Sequence, residues 1–245
     1  MDIRRIVEEK VKEFRSNYKP VELEIDAAQL KLGSYIEHTN LKPTATTDEI
    51  VKLCEEAKAF GFKGVCVNPA FVPLVREKLQ GTGILVVTVV GFPLGATAID
   101  VKAFEADWVV RNGAQEVDMV INIGKLKEGD YKYVYEDIRA VVEASKVPVK
   151  VIIETCYLTD EEKVAACVIS KLAGAKFVKT STGFGTAGAK FEDVQLMRWA
   201  VDGEIEVKAS GGIRTLEDAL KMLKAGATRI GTSSGVAICS AHLNG

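Results

Sequence analysis

Two lysines near the ends of predicted strands could do chemistry together. Lys179 lies in the segment FVKTSTGFG, and Lys208 lies in the segment EVKASGGIR. An ammonium that is buried without a partner in a barrel core is costly, or it loses its proton. One lysine can then act as a neutral amine, while the positive charge of the other lowers the pKa of the first. The pair therefore suggests Schiff-base catalysis. The alternative is that each lysine is a solvated residue at the top of its strand.

The composition favours a globular protein whose partners are small molecules. The chain has 245 residues, of which 47% are hydrophobic, so it can bury a large core. Its net charge is -2 and its pI is about 5.9. Neither value indicates a nucleic-acid surface or a polybasic membrane anchor, so we expect no nucleic-acid partner and no membrane partner.

Cysteine and histidine usage argues against disulfides and a histidine-rich metal site. The five cysteines have no CxxC spacing, which is typical of reduced thiols in a cytoplasm. Only two histidines, His38 and His242, are present, too few for a histidine-rich metal site. The first residues, MDIRRIVEEKVKEF, mix both charges at helical spacing, so we expect no signal peptide.

Apolar, β-rich runs alternate along the chain with amphipathic helical segments. Segments such as TTDEIVKLCEEAKAFG and TLEDALKMLKAGA open with capping residues, and several of them close with glycine, which is typical of helices. Between them we expect eight strands, at Ser34–Thr39, Gly64–Asn68, Leu85–Val90, Glu116–Asn122, Val149–Glu154, Phe177–Ser181, Glu206–Ser210 and Arg229–Thr232.

Eight strands alternating with helices in this length predict an α/β fold, a (β/α)8 TIM barrel. An open doubly wound sheet is the alternative. No GxGxxG follows the first strand, and polar residues end several strands rather than one, which argues against it. We expect residues 1–245 to form a single barrel domain, with residues 1–30 as an N-terminal helical extension. Its helix, roughly Asp2–Asn17, would be a lid on the barrel bottom or a packing element.

In such a barrel the active site lies at the carboxyl ends of the strands. Side chains alternate along a strand, so Asp118 and Lys179 can point inward while Val117 and Val178 face the helices. A buried carboxylate could then meet two buried amines. Asp118 could be a counter-ion that neutralises a lysine, or a group that moves a proton, and the two roles are compatible.

Three glycine-rich segments, STGFGTAG, SGGIRTLED and GTSSG, follow the last three predicted strands. Glycine lets the backbone approach an anion closely, and the N–H groups at a following helix N-terminus can hold phosphate. This fold often uses the loops after its seventh and eighth strands for that purpose. The segments therefore predict a phosphate site. For GTAG, the alternative is a loop hinged at Gly185 and Gly188.

The strand-end motifs resemble those of the deoxyribose-phosphate aldolase family over nearly the whole chain after the first helix. They are IEHTNLKP, GVCVNPAFV, VVGFPLGA, EVDMVINIG, VKVIIETCYLT, FVKTSTGFG, VKASGGIRT and IGTSSG. Members of that family are (β/α)8 barrels and metal-independent class I aldolases. The resemblance implies reversible cleavage of 2-deoxyribose 5-phosphate to glyceraldehyde 3-phosphate and acetaldehyde, in deoxynucleoside catabolism.

The resemblance also implies roles for particular residues. Lys179 would be the Schiff-base nucleophile, Lys208 the neighbouring ammonium and Asp118 the proton-relay carboxylate. Cys66 falls where some members carry a thiol near the substrate. Glu37 and Thr39 are further candidates because of their position at the end of the first strand, not because of the resemblance. The implied phosphate site consists of Thr182, Gly183, Gly211, Gly212, Ser233 and Ser234. No metal and no cofactor is implied. The expected partners are the phosphosugar and acetaldehyde, and we expect a homo-oligomer.

The chain departs from the family pattern at three places. Glu37 stands where the family commonly has Asp, Phe184 stands where some members have lysine, and the end AHLNG lacks the terminal tyrosine of others. Three alternatives to this reaction remain: a Schiff-base aldolase for another substrate, a barrel isomerase with Glu154 as its base, and a phosphosugar-binding barrel without catalysis.

Overall fold

The computed structural model describes residues 1–244 and has eight parallel strands within that range. They pair in sequence order, and the eighth pairs with the first, so the sheet closes into a barrel. The predicted (β/α)8 fold is thus confirmed. The strands are β1 (Ile36–Asn40), β2 (Gly64–Val67), β3 (Leu85–Val90), β4 (Glu116–Val120), β5 (Val149–Ile152), β6 (Phe177–Lys179), β7 (Glu206–Ser210) and β8 (Arg229–Thr232).

Three strands, β3, β7 and β8, have the predicted bounds, whereas β4, β5 and β6 each end two residues earlier than predicted and β2 ends one earlier. β1 starts two residues later and ends one residue later. The early ends have local causes. Asn122 leaves the sheet to cap the next helix, its side chain accepting a hydrogen bond from the Lys125 N–H at 3.1 Å. Glu154 turns the chain with a positive φ of 54°.

Capping residues begin helices as the sequence predicted, and in three of the helices they form capping boxes. In each, a threonine side chain accepts a hydrogen bond from the N–H of the third helical residue, and the acidic side chain of that residue accepts one from the threonine N–H, as with Thr46 and Glu49.

No helix within residues 1–244 is long and apolar enough to cross a membrane. The helices are α1 (Ile3–Asn17), α2 (Thr47–Phe60), α3 (Val72–Leu79), α4 (Ile99–Arg111), α5 (Ile123–Lys127), α6 (Tyr131–Ser145), α7 (Asp160–Leu172), α8 (Phe191–Ala200), α9 (Leu216–Ala225) and α10 (Gly235–Asn244).

The N-terminal helix α1 is a packing element on the outside of the barrel. It lies mainly against α7 and also contacts α6. Val7 is fully buried there, and Arg15 donates two hydrogen bonds to the Glu161 carboxylate, at 2.6 and 2.7 Å. Of the two roles predicted for this helix, the contacts favour packing over a lid.

The main apolar core lies between the strands and the surrounding helices. Val117 and Val178 belong to it, so they face outward as predicted. Inside the barrel, a second and much smaller apolar cluster consists of Leu41, Cys66, Val87 and Val89. Much of the remaining interior is lined by charged side chains, which are described below.

A buried ion pair joins α4, α6 and the end of β4. The Lys102 ammonium, fully buried, donates to Asp137 Oδ2 at 2.6 Å and to the Val120 carbonyl at 2.8 Å. Burial lowers the pKa of Lys102 and raises that of Asp137, and their mutual attraction opposes both changes. Because Val120 ends β4, this contact fixes the strand that carries Asp118.

Replacing Lys102 with Met should lower the free energy of unfolding by about 3 to 5 kcal/mol, because Asp137 would remain buried without its partner. Chemical denaturation of the wild type and the variant measures the difference. The double variant K102M/D137L removes both charges and should regain much of the loss. Equal losses in the single and double variants would mean that the ion pair is not the source of the effect.

Candidate active site

The centre of the barrel is the fully buried carboxylate of Asp118 on β4, which contacts three lysines. Its Oδ1 accepts a hydrogen bond from the Lys150 ammonium at 2.9 Å. Its Oδ2 accepts from Lys179 at 2.7 Å and from Lys208 at 2.6 Å. The strand register explains the meeting, because Asp118 is paired with Lys150, and Lys179 with Lys208. The structure thus brings together the three residues predicted as catalytic.

Two glutamates and an arginine extend this cluster. Glu37 accepts from Lys208 through Oε2 and from Arg229 through Oε1, the latter at 2.7 Å. Glu116 Oε2 lies 2.6 Å from the Lys150 ammonium and accepts from Arg229 at 3.0 Å. Together these side chains form a barrel charge network of four cations and three carboxylates: Lys150, Lys179, Lys208, Arg229, Glu37, Glu116 and Asp118.

The pKa values of Lys179 and Lys208 shift in opposite directions. Burial lowers the pKa of Lys179; the Asp118 charge opposes this and the Lys208 charge adds to it, and the net pKa is below the ordinary value. Burial also lowers the pKa of Lys208, but Asp118 and Glu37 together outweigh it and raise that pKa above the ordinary value. The electrostatics therefore favour Lys179 as the neutral amine and Lys208 as the ammonium, a choice that strand spacing alone left open.

Asp118, Glu37 and Lys150 stay ionised at neutral pH. Burial raises the pKa of Asp118, but Lys150, Lys179 and Lys208 hold it well below the usual range. Burial likewise raises the pKa of Glu37, and the charges of Lys150 and Lys208 more than reverse this. Lys150 keeps a raised pKa, since Asp118 and Glu37 outweigh its burial. Glu37 is thus a buried counter-ion of Lys208 in this structure.

A cavity of about 560 Å³ opens at the carboxyl ends of the strands, above the network. Among the residues that the structure describes, Lys179 is the one network member that lines it. Thr39 also lines the cavity, and its hydroxyl donates to the Glu37 carbonyl at 2.9 Å. The amine with the lowered pKa is therefore the one that a molecule in the cavity would meet.

Most of the predicted phosphate-site residues lie around this cavity. Thr182, Gly183, Gly211, Gly212 and Ser233 line it. Gly211 and Gly212 have positive φ values of 84° and 78°, a conformation that glycine adopts readily and that can aim successive N–H groups at an anion.

Ser234 lies at the start of α10, where its N–H donates to the Thr232 hydroxyl at 2.9 Å and its carbonyl accepts from Ile238 at 3.0 Å. Lys42 and Arg214 add positive charge to the cavity wall.

Glu154 fixes the loop after β6 through hydrogen bonds with Thr182. Its carboxylate accepts from the Thr182 N–H at 3.1 Å and from the Thr182 hydroxyl, which in turn accepts from the Phe184 N–H at 3.0 Å. Further along, a Cβ on Gly188 would lie 2.2 Å from the Gly211 carbonyl oxygen. Gly188 thus lets two loops touch, which favours close packing over the hinge considered from the sequence.

Cys66 is buried beside the network, and burial raises the pKa of its thiol to about 11, so it is neutral at pH 7. Its sulfur and the carboxylate oxygens of Glu37 and Asp118 lie within 4.8 Å of one another, a spacing that a metal site could use. Those oxygens already accept hydrogen bonds from lysine and arginine. This group of oxygens therefore suits ammonium and guanidinium groups better than a metal ion.

Two of the departures from the family pattern, Phe184 and the chain end AHLNG, lie in different parts of the structure. Phe184 is half exposed at the mouth of the cavity and packs edge-on against Phe92, with ring centroids 5.5 Å apart. The chain end AHLNG belongs to α10 up to Asn244, and Gly245 lies outside the described residues.

Sequence reasoning missed three members of the network: Lys150, Glu116 and Arg229. Each is a charged residue within a strand, the same signal that singled out Lys179 and Lys208, but Gln115 precedes Glu116 and Thr228 precedes Arg229, which weakens the signal for these two. Lys150 in VPVKVII carries it most clearly.

A second cleft, of about 610 Å³, lies between α3 and α4. The segments before β3 and β4 line it, including Gly83, Ile84 and Ala114, so it opens at the opposite end of the barrel from Lys179. In this fold the amino-terminal face contributes stability rather than catalysis.

Comparison with known proteins agrees with this geometry. Residues 33–241 match the model of the DeoC/LacD family aldolases. The chain belongs to this aldolase family. The family resemblance seen in the strand-end motifs and the prediction of an enzyme are thereby confirmed.

Several relatives are named deoxyribose-phosphate aldolase. That of Thermotoga maritima is 63% identical over 95% of this chain and 94% of its own length. That of Carboxydothermus hydrogenoformans is 62% identical over 88% of this chain and 96% of its own.

Two solved structures are similar to this fold. One, from Coccidioides immitis and described as a candidate deoxyribose-phosphate aldolase, is 43% identical and superposes with a TM-score of 0.93, covering 98% of this chain and 96% of its own. The tetrameric deoxyribose-phosphate aldolase of Aeropyrum pernix is 31% identical, with a TM-score of 0.81 and coverage of 97% of both chains.

Replacing Asp118 with Asn should lower the turnover of aldol cleavage by about 10²-fold or more, because the amide keeps the size of the carboxylate but cannot carry a proton. Steady-state kinetics measures this, and phosphate binding should be retained. Since the change also removes a negative charge beside Lys179, it lowers the pKa of that amine further, so the loss cannot come from increased protonation of Lys179. Near-normal turnover would make Asp118 a counter-ion only.

Proposed function

We propose that this protein is a class I aldolase that reversibly cleaves 2-deoxy-D-ribose 5-phosphate to D-glyceraldehyde 3-phosphate and acetaldehyde, in deoxynucleoside catabolism. The observation that carries the proposal is Lys179, the amine with the lowered pKa, reaching a cavity ringed by glycine-rich loops. The names of the relatives support the choice of substrate.

The first step is imine formation. The neutral Lys179 amine attacks the C1 aldehyde of the open-chain sugar, the carbinolamine loses water, and a protonated imine remains. Asp118 Oδ2 lies 2.7 Å from the Lys179 nitrogen, within reach of the protons that leave and return there. Three ammonium charges hold down the pKa of Asp118. When Lys179 is neutral one of them is absent, so the carboxylate becomes a better base.

The imine is the electron sink for bond cleavage. The C2–C3 electron pair moves into the imine to give an enamine, while the C3 hydroxyl loses its proton and becomes the aldehyde of glyceraldehyde 3-phosphate. Protonation of the enamine at C2, with Asp118 as the relay, gives the imine of acetaldehyde. Water then hydrolyses this imine and frees Lys179. An organic electron sink needs neither a metal nor a cofactor.

The substrate phosphate is proposed to bind the loops after β6, β7 and β8. Gly211 and Gly212 would present backbone N–H groups, and Ser233, together with Thr182 and Gly183, would complete the site. Ser234 would contribute from the start of α10, where the helix dipole favours an anion.

We also infer a cytoplasmic homo-oligomer. Unpaired thiols at all five cysteines suit a reducing compartment. The tetrameric relative from Aeropyrum pernix supports self-association. A stripe of exposed apolar side chains on α4, formed by Val101, Phe104 and Trp108, offers a surface for a second copy.

The alternatives have less support. An isomerase would need Glu154 as its base, but Thr182 occupies both of its carboxylate oxygens. A binding protein has no need of an amine whose pKa is lowered. An aldolase for a ketose phosphate would share the imine chemistry, and turnover of substrates with and without a C2 hydroxyl distinguishes it.

Acetaldehyde together with borohydride should label Lys179 permanently, because reduction of the imine leaves a stable N-ethyl amine. Peptide mapping by mass spectrometry locates the label. The other network lysines, Lys150 and Lys208, serve as internal controls, since both keep raised pKa values and should remain unlabelled. A label on another lysine would refute the assignment of the nucleophile.

Replacing Lys208 with Leu should abolish most imine formation at neutral pH. The change removes a positive charge near Lys179 and frees Asp118 and Glu37 from a partner, and both effects raise the pKa of Lys179. A raised pKa means that the amine is protonated at neutral pH and becomes reactive only as pH rises toward about 9 to 10. The rate of acetaldehyde trapping across pH measures this shift.

If Lys208 only binds phosphate, the variant would raise KM for the phosphorylated substrate and leave the trapping profile with acetaldehyde unchanged. Superimposable profiles of wild type and variant would therefore contradict the proposed coupling of the two lysines.

A further inference from the structure

Arg229 on β8 belongs to the charge network but has no role in the steps above. Its guanidinium is buried with the network, donating to Glu37 Oε1 at 2.7 Å and to Glu116 Oε2 at 3.0 Å. It also lies over the Phe177 ring, 5.1 Å from the centroid. It makes no direct contact with Lys179, and it reaches Lys208 only through Glu37.

Arginine differs from the lysines of the network in that it cannot lose its proton in a protein. The network contains three lysines, one arginine and three carboxylates. With every group ionised it carries one surplus positive charge, and with one lysine neutral it is balanced. Without Arg229, three lysines would face three carboxylates, and the network would be balanced with every lysine protonated.

We propose that Arg229 is a positioning residue that supplies this surplus charge and thereby makes Lys179 release its proton. It occupies one oxygen of Glu37 and one of Glu116 with a charge that cannot leave. The inference rests on the proposed function, because a neutral Lys179 is what imine formation requires.

The contacts of each lysine explain why the proton leaves Lys179. Lys208 faces two carboxylates, Asp118 and Glu37, and Lys150 faces three, Asp118, Glu116 and Glu37. Within the described part of the chain, Lys179 has a single carboxylate partner, Asp118, which it shares with both other lysines.

The groups that set the charge around Lys179 come from most of the barrel strands. Cys66 on β2, Asp118 on β4 and Lys208 on β7 act on it directly. The others act through their contacts with Asp118, Lys208 and one another: Glu37 on β1, Glu116 on β4, Lys150 on β5 and Arg229 on β8. Cys66 is a neutral thiol, so six charges and the cavity decide the protonation of Lys179.

The test compares the wild type with Arg229→Met, Glu116→Gln and the double variant. Each is incubated with acetaldehyde and cyanoborohydride across pH, and the rate of ethylation at Lys179 gives a midpoint. Arg229→Met removes the surplus charge, so its midpoint should move up by about one pH unit. Glu116→Gln removes a negative charge, so its midpoint should move down. The double variant restores the surplus and should return close to the wild-type midpoint.

A matched control is Arg111→Met, which removes an exposed arginine paired with Asp107 on α4 and should leave the midpoint unchanged. A purely structural role for Arg229 would lower the rate at every pH without moving the midpoint, and that result would overturn the inference. If Arg229→Met does not fold, as judged by circular dichroism, the Glu116→Gln variant decides, because an unmoved midpoint there overturns the inference equally.

The two proposals fail in different ways. If wild-type Lys179 is not ethylated at all, the proposed aldolase mechanism is wrong. If it is ethylated but the midpoints of the variants coincide, the mechanism stands and the charge-surplus role of Arg229 is wrong.

Discussion

The site depends on one carboxylate shared by three amines. Asp118 accepts hydrogen bonds from Lys150, Lys179 and Lys208, and all four side chains lie inside the closed barrel. Charges attract and repel more strongly in a low-dielectric interior than in water, so small differences in pairing become large differences in protonation. Lys179 has the fewest carboxylate partners and the lowered pKa, and it is also the member that reaches the cavity.

This interior contributes chemistry more than stability. A buried ion network is weak evidence for stability, because desolvation of the charges offsets much of their attraction. The stabilising apolar core lies instead between the strands and the helices, where Val117 and Val178 pack. Period-2 alternation separates the two layers, since each strand directs one face to the core and the other to the barrel interior. The barrel can therefore hold a costly set of buried charges in its interior and keep the apolar packing between its strands and helices.

The glycines complete this arrangement by leaving space. A Cβ on Gly231 would lie 3.0 Å from Lys208 Cε, so its absence gives the lysine room to cross the barrel toward Asp118. Gly211 and Gly212 turn the backbone with positive φ beside the same cavity. One part of the wall thus accommodates the Lys208 ammonium beside the reacting amine of Lys179, and the adjoining part would present backbone N–H groups, as a substrate with an aldehyde at one end and a phosphate at the other requires.

The sequence by itself determined the barrel, because strand and helix periodicities and capping residues are local patterns. It also identified Lys179, Lys208, Asp118 and the glycine-rich loops through strand-end motifs. Tertiary structure alone decided that Lys150, Glu116 and Arg229 join them, that Glu37 pairs with Lys208, and that Lys179 is the amine with the lowered pKa. Protonation depends on distances between side chains from strands far apart in the chain. Those distances exist only once the barrel has closed and the register has brought the charges together.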